Sequence, residues 1–329
     1  MTQYEVVGIG NAVVDVISHA DDSFLADNGI EKGIMQLIER DRAEDLYAAM
    51  QDRVQTPGGS VANTVAGAGA LGLKTAFIGR VRDDELGQFY AKAMTDIGID
   101  FVNAPVAEGE NPTSRCMIFV TPDGERSLNT YLGISTGLTS ADVPQAVTEK
   151  AKLMFLEGYL FDHEAGKTAF REAARAATAG GGMAGIAISD PFCVERHRDD
   201  FLALIENDLG YVIGNEAEIR ALWKTDDTEA ALAKTAEICP LVVCTRSGDG
   251  VTLVRGEERV DVPVEKVVPV DATGAGDQFA AGFLYGLATG RDFETCGRMG
   301  NICAGEVIRH IGPRPQTDIM ALFKAEGLV

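Results

Sequence analysis

Short apolar runs ending in glycine or small polar residues alternate along this chain with longer stretches whose apolar positions recur every three to four residues. The first pattern predicts strands buried on both faces, and the second predicts amphipathic helices. Strand-like runs fall at 4–10, 75–78, 153–156, 184–189, 211–213 and 241–245. Helical patterns at 83–98, 163–178, 196–206, 215–223 and 228–238 lie between or beside them. Strands and helices taking turns predict an α/β fold, with a doubly wound, mostly parallel sheet covered on both faces. A hairpin is expected at 251–254 and 259–263 across Gly256-Glu257, followed by helices to about 290, over 293–310 and after Thr317.

Some segments do not follow this alternation. Runs at 13–18, 33–38, 113–120 and 126–131, the last two joined by the turn Thr121-Pro122-Asp123-Gly124, predict a small separate β layer. We read it as a lid, formed from about 12–40 and 99–131, inserted into a single domain over 1–329. Short helices are expected at 21–28 and 41–53. Pro57-Gly58-Gly59-Ser60 reads as a chain break before a helix of very small residues at 61–71. That helix contains Gly67-Ala-Gly69-Ala-Leu-Gly72, which spells G-x-G-x-x-G but lies inside a helix rather than between a strand and a helix start.

Composition narrows the partners. Hydrophobic residues make up 46% of the chain and charged residues 24%, ample for a real core. The formal net charge of −21 disfavours duplex nucleic acid and anionic membrane, so neither is expected as a partner. The segment Met1-Thr2-Gln3-Tyr4-Glu5 lacks the basic start of a signal peptide. No apolar run is long enough to span a bilayer. The six cysteines form no Cys-x-x-Cys pair, consistent with reduced, buried thiols and a cytoplasmic setting. The four scattered histidines argue against a histidine-based metal site or triad.

The chemistry concentrates in Asp271-Ala272-Thr273-Gly274-Ala275-Gly276-Asp277, ahead of an Ala-rich apolar helix. Glycines let backbone N–H groups converge on an anion, and the helix start adds unpaired N–H groups and the positive end of its dipole. A carboxylate beside such a nest, Asp277, either caps the helix or takes the proton of a hydroxyl attacking a phosphoryl group. Asn11 and Asp15, just past the first strand, lie where open α/β sheets bind ligands, although on these residues alone turn chemistry is the better account.

Three motifs carry a family resemblance over about residues 4 to 315. Gly58-Gly59-Ser60-x-x-Asn63-x-x-Ala66, Asn215-x-x-Glu218 and Asp271-x-Thr273-Gly274-Ala275-Gly276-Asp277 resemble signatures of the ribokinase-like (pfkB) sugar and nucleoside kinases. The resemblance implies an α/β/α sandwich with a β lid and ATP-dependent phosphorylation of a hydroxymethyl group. It implies Asp277 as general base, and the N–H groups of Gly274, Ala275 and Gly276 as the anion hole. It implies Asn215 and Glu218 as the residues holding Mg²⁺ through water. It also implies a nucleotide loop at Thr245, Gly248 and Gly250, which departs from the family at Ser247. Asn301 falls on the helix flanking the adenine of ATP. Arg126 is placed to reach phosphate from the lid, and Asp271 and Thr273 to offer oxygens to a monovalent cation, K⁺.

For the substrate, Asn11, Asp15, Gly59, Ser60 and Asn63 are expected to grip ribose hydroxyls. The Asn11-to-Asp15 spacing resembles adenosine kinases, as do Gln36-Leu37-Ile38 and Glu125-Arg126-Ser127-Leu128. Gln36, Leu128 and an aromatic such as Tyr159 or Phe161 are then expected to line a purine pocket, whereas lid packing accounts for the apolar ones otherwise. A free sugar is the alternative substrate. A nicotinamide-dependent oxidoreductase using Gly8-Ile9-Gly10, or a non-catalytic nucleotide sensor, is a more distant alternative. Monomer and homodimer both fit the exposed β layer.

Overall fold

A computed structural model describes residues 3–329. It contains two sheets. The large one has nine strands, in spatial order Glu258–Val262, Val251–Arg255, Val242–Thr245, Tyr211–Asn215, Met183–Ala187, Ala151–Glu157, Tyr4–Ile9, Thr75–Ile78 and Asp100–Phe101. From Val242–Thr245 to Asp100–Phe101 every pairing is parallel, while the first two strands form an antiparallel hairpin at the edge. Helices cover both faces, and the sheet divides the core in two. Val6, Phe77, Phe155, Ile213 and Val243 face one side, and Val7, Ile9, Ala76, Met154, Leu156, Ile186 and Val212 the other. Adjacent strand residues thus point to opposite, equally apolar layers, which is why these strands read as continuous apolar runs rather than alternating ones.

The small sheet has five strands, in the order Met35–Leu37, Arg126–Tyr131, Ser114–Val120, Val13–His19 and Val54–Gly58. Two parts of it differ from the sequence expectation. The segment before Gly59, read as a chain break, is an edge strand pairing Pro57 with Val14 and Gly58 with Val13. Proline is tolerated there because an edge strand does not need every N–H. Conversely, Asp100–Phe101, read as the start of the β layer, pairs with Thr75–Ile78 in the large sheet.

Two helices built from small residues form the centre of the molecule, Ser60–Ala70 and Ala275–Ala288. A Cβ on Gly67 would lie 2.7 Å from the Ala281 Cβ, so the glycine lets the two helices approach closely. Of the G-x-G-x-x-G run, Gly67 serves this packing, while Gly69 faces Thr75 on the neighbouring strand. The C-terminal chain after Phe293–Val307 returns through Gly312-Pro313-Arg314-Pro315 toward the same two helices, then ends in Ile319–Ala325. Among the described residues no helix is long and apolar enough to cross a membrane.

Candidate active site

The N-termini of the two central helices lie side by side at the carboxyl ends of the parallel strands, where open α/β sheets leave a crevice. Gly274, with φ of 80°, turns the chain into Ala275–Ala288. A Cβ there would strike Pro313, 2.6 Å from its Cα. The Ala275 N–H bends back to the Ala272 carbonyl at 3.2 Å. The N–H groups of Gly274 and Gly276 show no such partner among the described residues, and no atom lies near the Cα face of Gly276. Of the three N–H groups expected to form an anion hole, two therefore have no partner among the described residues, and Gly276 lines the crevice.

Asp277 follows in the first helical turn. Its Oδ1 accepts from the Ser60 hydroxyl at 2.6 Å and its Oδ2 from the Asn63 amide at 3.1 Å. Thr64 donates to the Asp277 carbonyl at 3.0 Å. Burial pushes the Asp277 carboxyl up to about 6, with the Ser60 and Asn63 hydrogen bonds and the Arg314 charge pulling the other way. Gly59 delivers Ser60 to this position. Its φ of 104° and the Asn11 carbonyl against its Cα leave no place for a side chain.

A cavity of about 120 Å³ joins Ser60, Gly276 and Asp277 to Asn215, Glu218 and Thr245. Asn215 and Glu218 form a reciprocal capping box. The Asn215 Oδ1 accepts from the Glu218 N–H at 3.0 Å, and Glu218 accepts from the Asn215 N–H at 3.0 Å and from its amide at 2.6 Å. Burial raises the Glu218 carboxyl to about 7; the Asn215 hydrogen bond lowers it and the nearby Asp190 charge raises it further. Among the described residues no cluster of three His, Cys, Asp or Glu side chains forms a self-sufficient metal site. The donors here are oxygens on one buried carboxylate and one amide. That set fits Mg²⁺, a hard ion that keeps waters and is bound largely through phosphates. Asn215 and Glu218 would hold it, and its positive charge would offset that of the phosphates.

Asp15 approaches from the small sheet. A Cβ on Gly58 would sit 2.5 Å from the Asp15 Oδ2, so the carboxylate rests against the bare Gly58 backbone. Burial raises the Asp15 carboxyl to about 6, the Arg126 and Arg314 charges lower it, and Asp277 raises it. The same face of the sheet carries the apolar set Val13, Cys116, Ile118 and Val120, with Leu128 packed on it. Gln36 lies on the edge strand, in register with Asn129 and flanked by the exposed Met35 and Leu37.

Other expected residues lie elsewhere or are already engaged. Asn11 is buried; its amide donates to Glu157 at 2.7 Å and its oxygen accepts from Ser135 at 2.7 Å. Phe161 stacks on Phe201 at 4.0 Å within the helical layer behind the sheet. Tyr159 is more exposed, with its hydroxyl on the Ser189 carbonyl at 3.2 Å. Asn301 is buried and donates to the Val262 and Pro263 carbonyls at 3.4 and 3.3 Å, anchoring the loop that leaves the edge hairpin. That loop and the helix Phe293–Val307 enclose a cleft of about 500 Å³. In the nucleotide loop, Ser247 adopts φ of 48°, the backbone that a glycine would take without strain. The Arg246 N–H closes the turn onto the Gly250 carbonyl at 2.7 Å, and Gly248 lies in open space.

Asp271 is fully committed. It accepts from the Thr273 N–H at 2.9 Å, the Gly312 N–H at 3.0 Å and the Arg126 guanidinium at 2.6 Å. Burial works against its charge, but these donors outweigh it and hold the carboxyl below its ordinary value. The expected K⁺ site does not fit this arrangement, because a guanidinium already neutralises the carboxylate. The same contact places Arg126 against Asp271.

Two residues at the site were not picked out from the sequence. Glu157, 1% exposed, accepts from the Asn11 N–H at 3.2 Å, the Asn11 amide and the Val61 N–H at 3.0 Å. Its position at the carboxyl end of a parallel strand was the available signal. Arg314 donates to the Asn63 Oδ1 at 3.3 Å and the Pro57 carbonyl at 2.7 Å. A lone arginine between two prolines after the last core helix gave no sign of this.

The sequence pattern of the pfkB family carbohydrate kinases matches residues 32–319. The chain belongs to that family. It is a kinase, which transfers a phosphoryl group from ATP to an alcohol, and its fold is ribokinase-like. The oxidoreductase reading ends here. Among solved structures, a probable sugar kinase from Rhizobium etli is 43% identical with a TM-score of 0.90, covering 100% of both chains. An adenosine kinase from Sinorhizobium meliloti is 45% identical with a TM-score of 0.89, covering 99% of this chain and 100% of that one. Among curated proteins, adenosine kinase 1 of Arabidopsis thaliana is 27% identical and covers 93% of this chain and 94% of its own length. Kinases of this family generally use ATP with Mg²⁺.

Proposed function

We propose that this kinase phosphorylates the 5′-hydroxyl of a ribonucleoside, adenosine, with Asp277 as general base. The observation that carries the reading is the placement of Asp277. It is a carboxylate whose pKa burial lifts to about 6, in the first turn of a helix whose start, Gly276 and Asp277, lines the same cavity as Asn215 and Glu218. A base of that strength is mostly ionised at neutral pH yet basic enough to draw a proton from an attacking hydroxyl. Ser60 and Asn63 hold it in one orientation. The N–H groups of Gly274 and Gly276 are placed to stabilise charge on the transferring phosphoryl group, which needs positioning and electrostatic support more than covalent chemistry.

Asp15 offers carboxylate oxygens to vicinal ribose hydroxyls from the small sheet. The buried, uncharged set Val13, Cys116 and Ile118, with Leu128 packed on it, lies on the same face of that sheet as Asp15 and suits the surroundings of a purine. The small sheet then acts as a lid that excludes water from ATP. The relatives named as adenosine kinases support the nucleoside, and those named as sugar kinases define its competitor.

The test is an ADP-release assay with MgATP and a panel of nucleosides and sugars. Adenosine is expected to be turned over fastest, and Asp277→Asn to lose about 10²–10⁴-fold in kcat while still binding ATP. Turnover of ribose or fructose with none of any nucleoside refutes the substrate. Wild-type kcat in Asp277→Asn refutes the base.

A further inference from the structure

The segment Gly312-Pro313-Arg314-Pro315 follows the helix Phe293–Val307 and packs against the start of the helix that carries Asp277. Pro313 packs on Gly274, and its carbonyl accepts from Gln278 at 3.0 Å. Prolines on both sides restrict the backbone of Arg314 and limit where its side chain reaches. From there the guanidinium makes two contacts that belong to different parts of the molecule. Its Nε donates to the Asn63 Oδ1 on the central helix, and its Nη2 to the Pro57 carbonyl on the edge strand of the small sheet.

The chemistry of these groups fixes an orientation. A guanidinium only donates, and an ionised carboxylate only accepts. Asn63 lies between the two. With its oxygen engaged by Arg314, its NH₂ must face the Asp277 Oδ2, as it does at 3.1 Å. Without Arg314 the amide is free to turn its oxygen toward Asp277, exchanging an attraction for a repulsion.

We propose that Arg314 is a positioning residue for phosphoryl transfer, which locks the Asn63 amide onto Asp277 and sets a positive charge behind that carboxylate. This rests on the reading of Asp277 as the base. The titratable groups facing Asp277 come from several elements. Asp15 lies on the small sheet, Glu157 and Tyr159 at the end of the strand Ala151–Glu157, and Arg314 on the C-terminal segment. The helix Ser60–Ala70 contributes the uncharged Ser60, Asn63 and Thr64. Asp15 and Glu157 add negative charge when ionised, whereas burial keeps the Tyr159 phenol neutral, so the cation at Arg314 opposes the tendency of Asp277 to stay protonated. Burial lowers the Arg314 pKa, while Tyr90, Asp15 and Asp277 raise it again.

The test uses the full chain labelled with ¹³C-aspartate. The Asp277 carboxyl signal is assigned by its loss in Asp277→Asn, and its midpoint is followed against pH in wild type, Arg314→Gln and Arg314→Lys. The midpoint is expected to rise by about one pH unit in Arg314→Gln. In Arg314→Lys it is expected to stay near wild type, while kcat for adenosine falls about tenfold because an ammonium does not reach both partners. An unchanged midpoint in folded Arg314→Gln overturns the proposal. If that variant does not fold, wild-type kcat in Arg314→Lys overturns it. Full turnover by Asp277→Asn removes the base reading separately, since the carboxyl titration still reports whether Arg314 acts on Asp277.

Discussion

Glu157 permits a direct measurement of what it costs to hold this site together. It is almost fully buried and ties the end of the first strand, through Asn11, to the start of the helix that carries Ser60 and Asn63. Burial raises its carboxyl from the ordinary 4.5 to about 7, against the Val61 and Asn11 hydrogen bonds and with the Asp277 charge adding to the rise. The folded state therefore binds more protons than the unfolded state between those two values, and stability falls as pH rises through that window. At about 1.4 kcal/mol per pH unit, the ionised group costs about 3 kcal/mol once the pH is above 7.

Glu157→Gln keeps the shape and one acceptor oxygen but cannot ionise. At pH 5 the two proteins are expected to agree to within about 1 kcal/mol, because the lost second acceptor is worth about that much. Between pH 5 and pH 8 the difference is expected to swing by about 2–3 kcal/mol in favour of the variant. Urea unfolding at both pH values, with m-values checked for equality, gives the number. A difference that does not change with pH, or one that swings toward wild type, refutes the reasoning. The comparison of two proteins cancels the contributions of Asp15 and Glu218, whose pKa values are also raised; Asp277, whose charge acts on Glu157, is part of the difference measured.

Two further perturbations address the loop beside the base. Gly274→Ala places a Cβ 2.6 Å from the Pro313 Cα at a left-handed backbone position, so the loop must shift; kcat in the ADP-release assay is expected to drop about 10²-fold, and a wild-type kcat contradicts this. Arg126→Met breaks an ion pair between side chains only 8% and 10% exposed. It is expected to destabilise by about 3 kcal/mol, the low end for a buried pair because Asp271 keeps two N–H donors. An unchanged thermal midpoint would contradict that expectation, and Arg126→Met with Asp271→Asn should recover part of the loss.

The main architecture was legible in the sequence because burial is written locally. A strand covered on both faces must be apolar throughout, and a helix on a sheet must be apolar on one side, so the alternation of 75–78, 211–213 and 228–238 with their neighbours is visible residue by residue. The Gly274-Ala275-Gly276-Asp277 motif was legible for the same reason, since an anion nest at a helix start is built from consecutive residues. Val54–Gly58 was not, because a proline and two glycines in a row signal a break, and only pairing with Val13–Ile17 makes them a strand.

What surrounds Asp277 was decided by tertiary structure alone. Ser60 reaches it across 217 residues, and Arg314 reaches Asn63 across 251. Such contacts depend on the spatial order of strands and on where a returning segment crosses, neither of which leaves a periodic trace. The same holds for residues whose chemistry was right but whose environment was hidden. Asn11 has its amide taken by Glu157 and Ser135, and Phe161 stacks behind the sheet rather than in the crevice. Asp271 meets a guanidinium from the small sheet. The sequence by itself determined which groups were available for chemistry. The fold determined which of them line the crevice and which are taken up away from it, because polar groups buried elsewhere in the interior must be satisfied by protein partners.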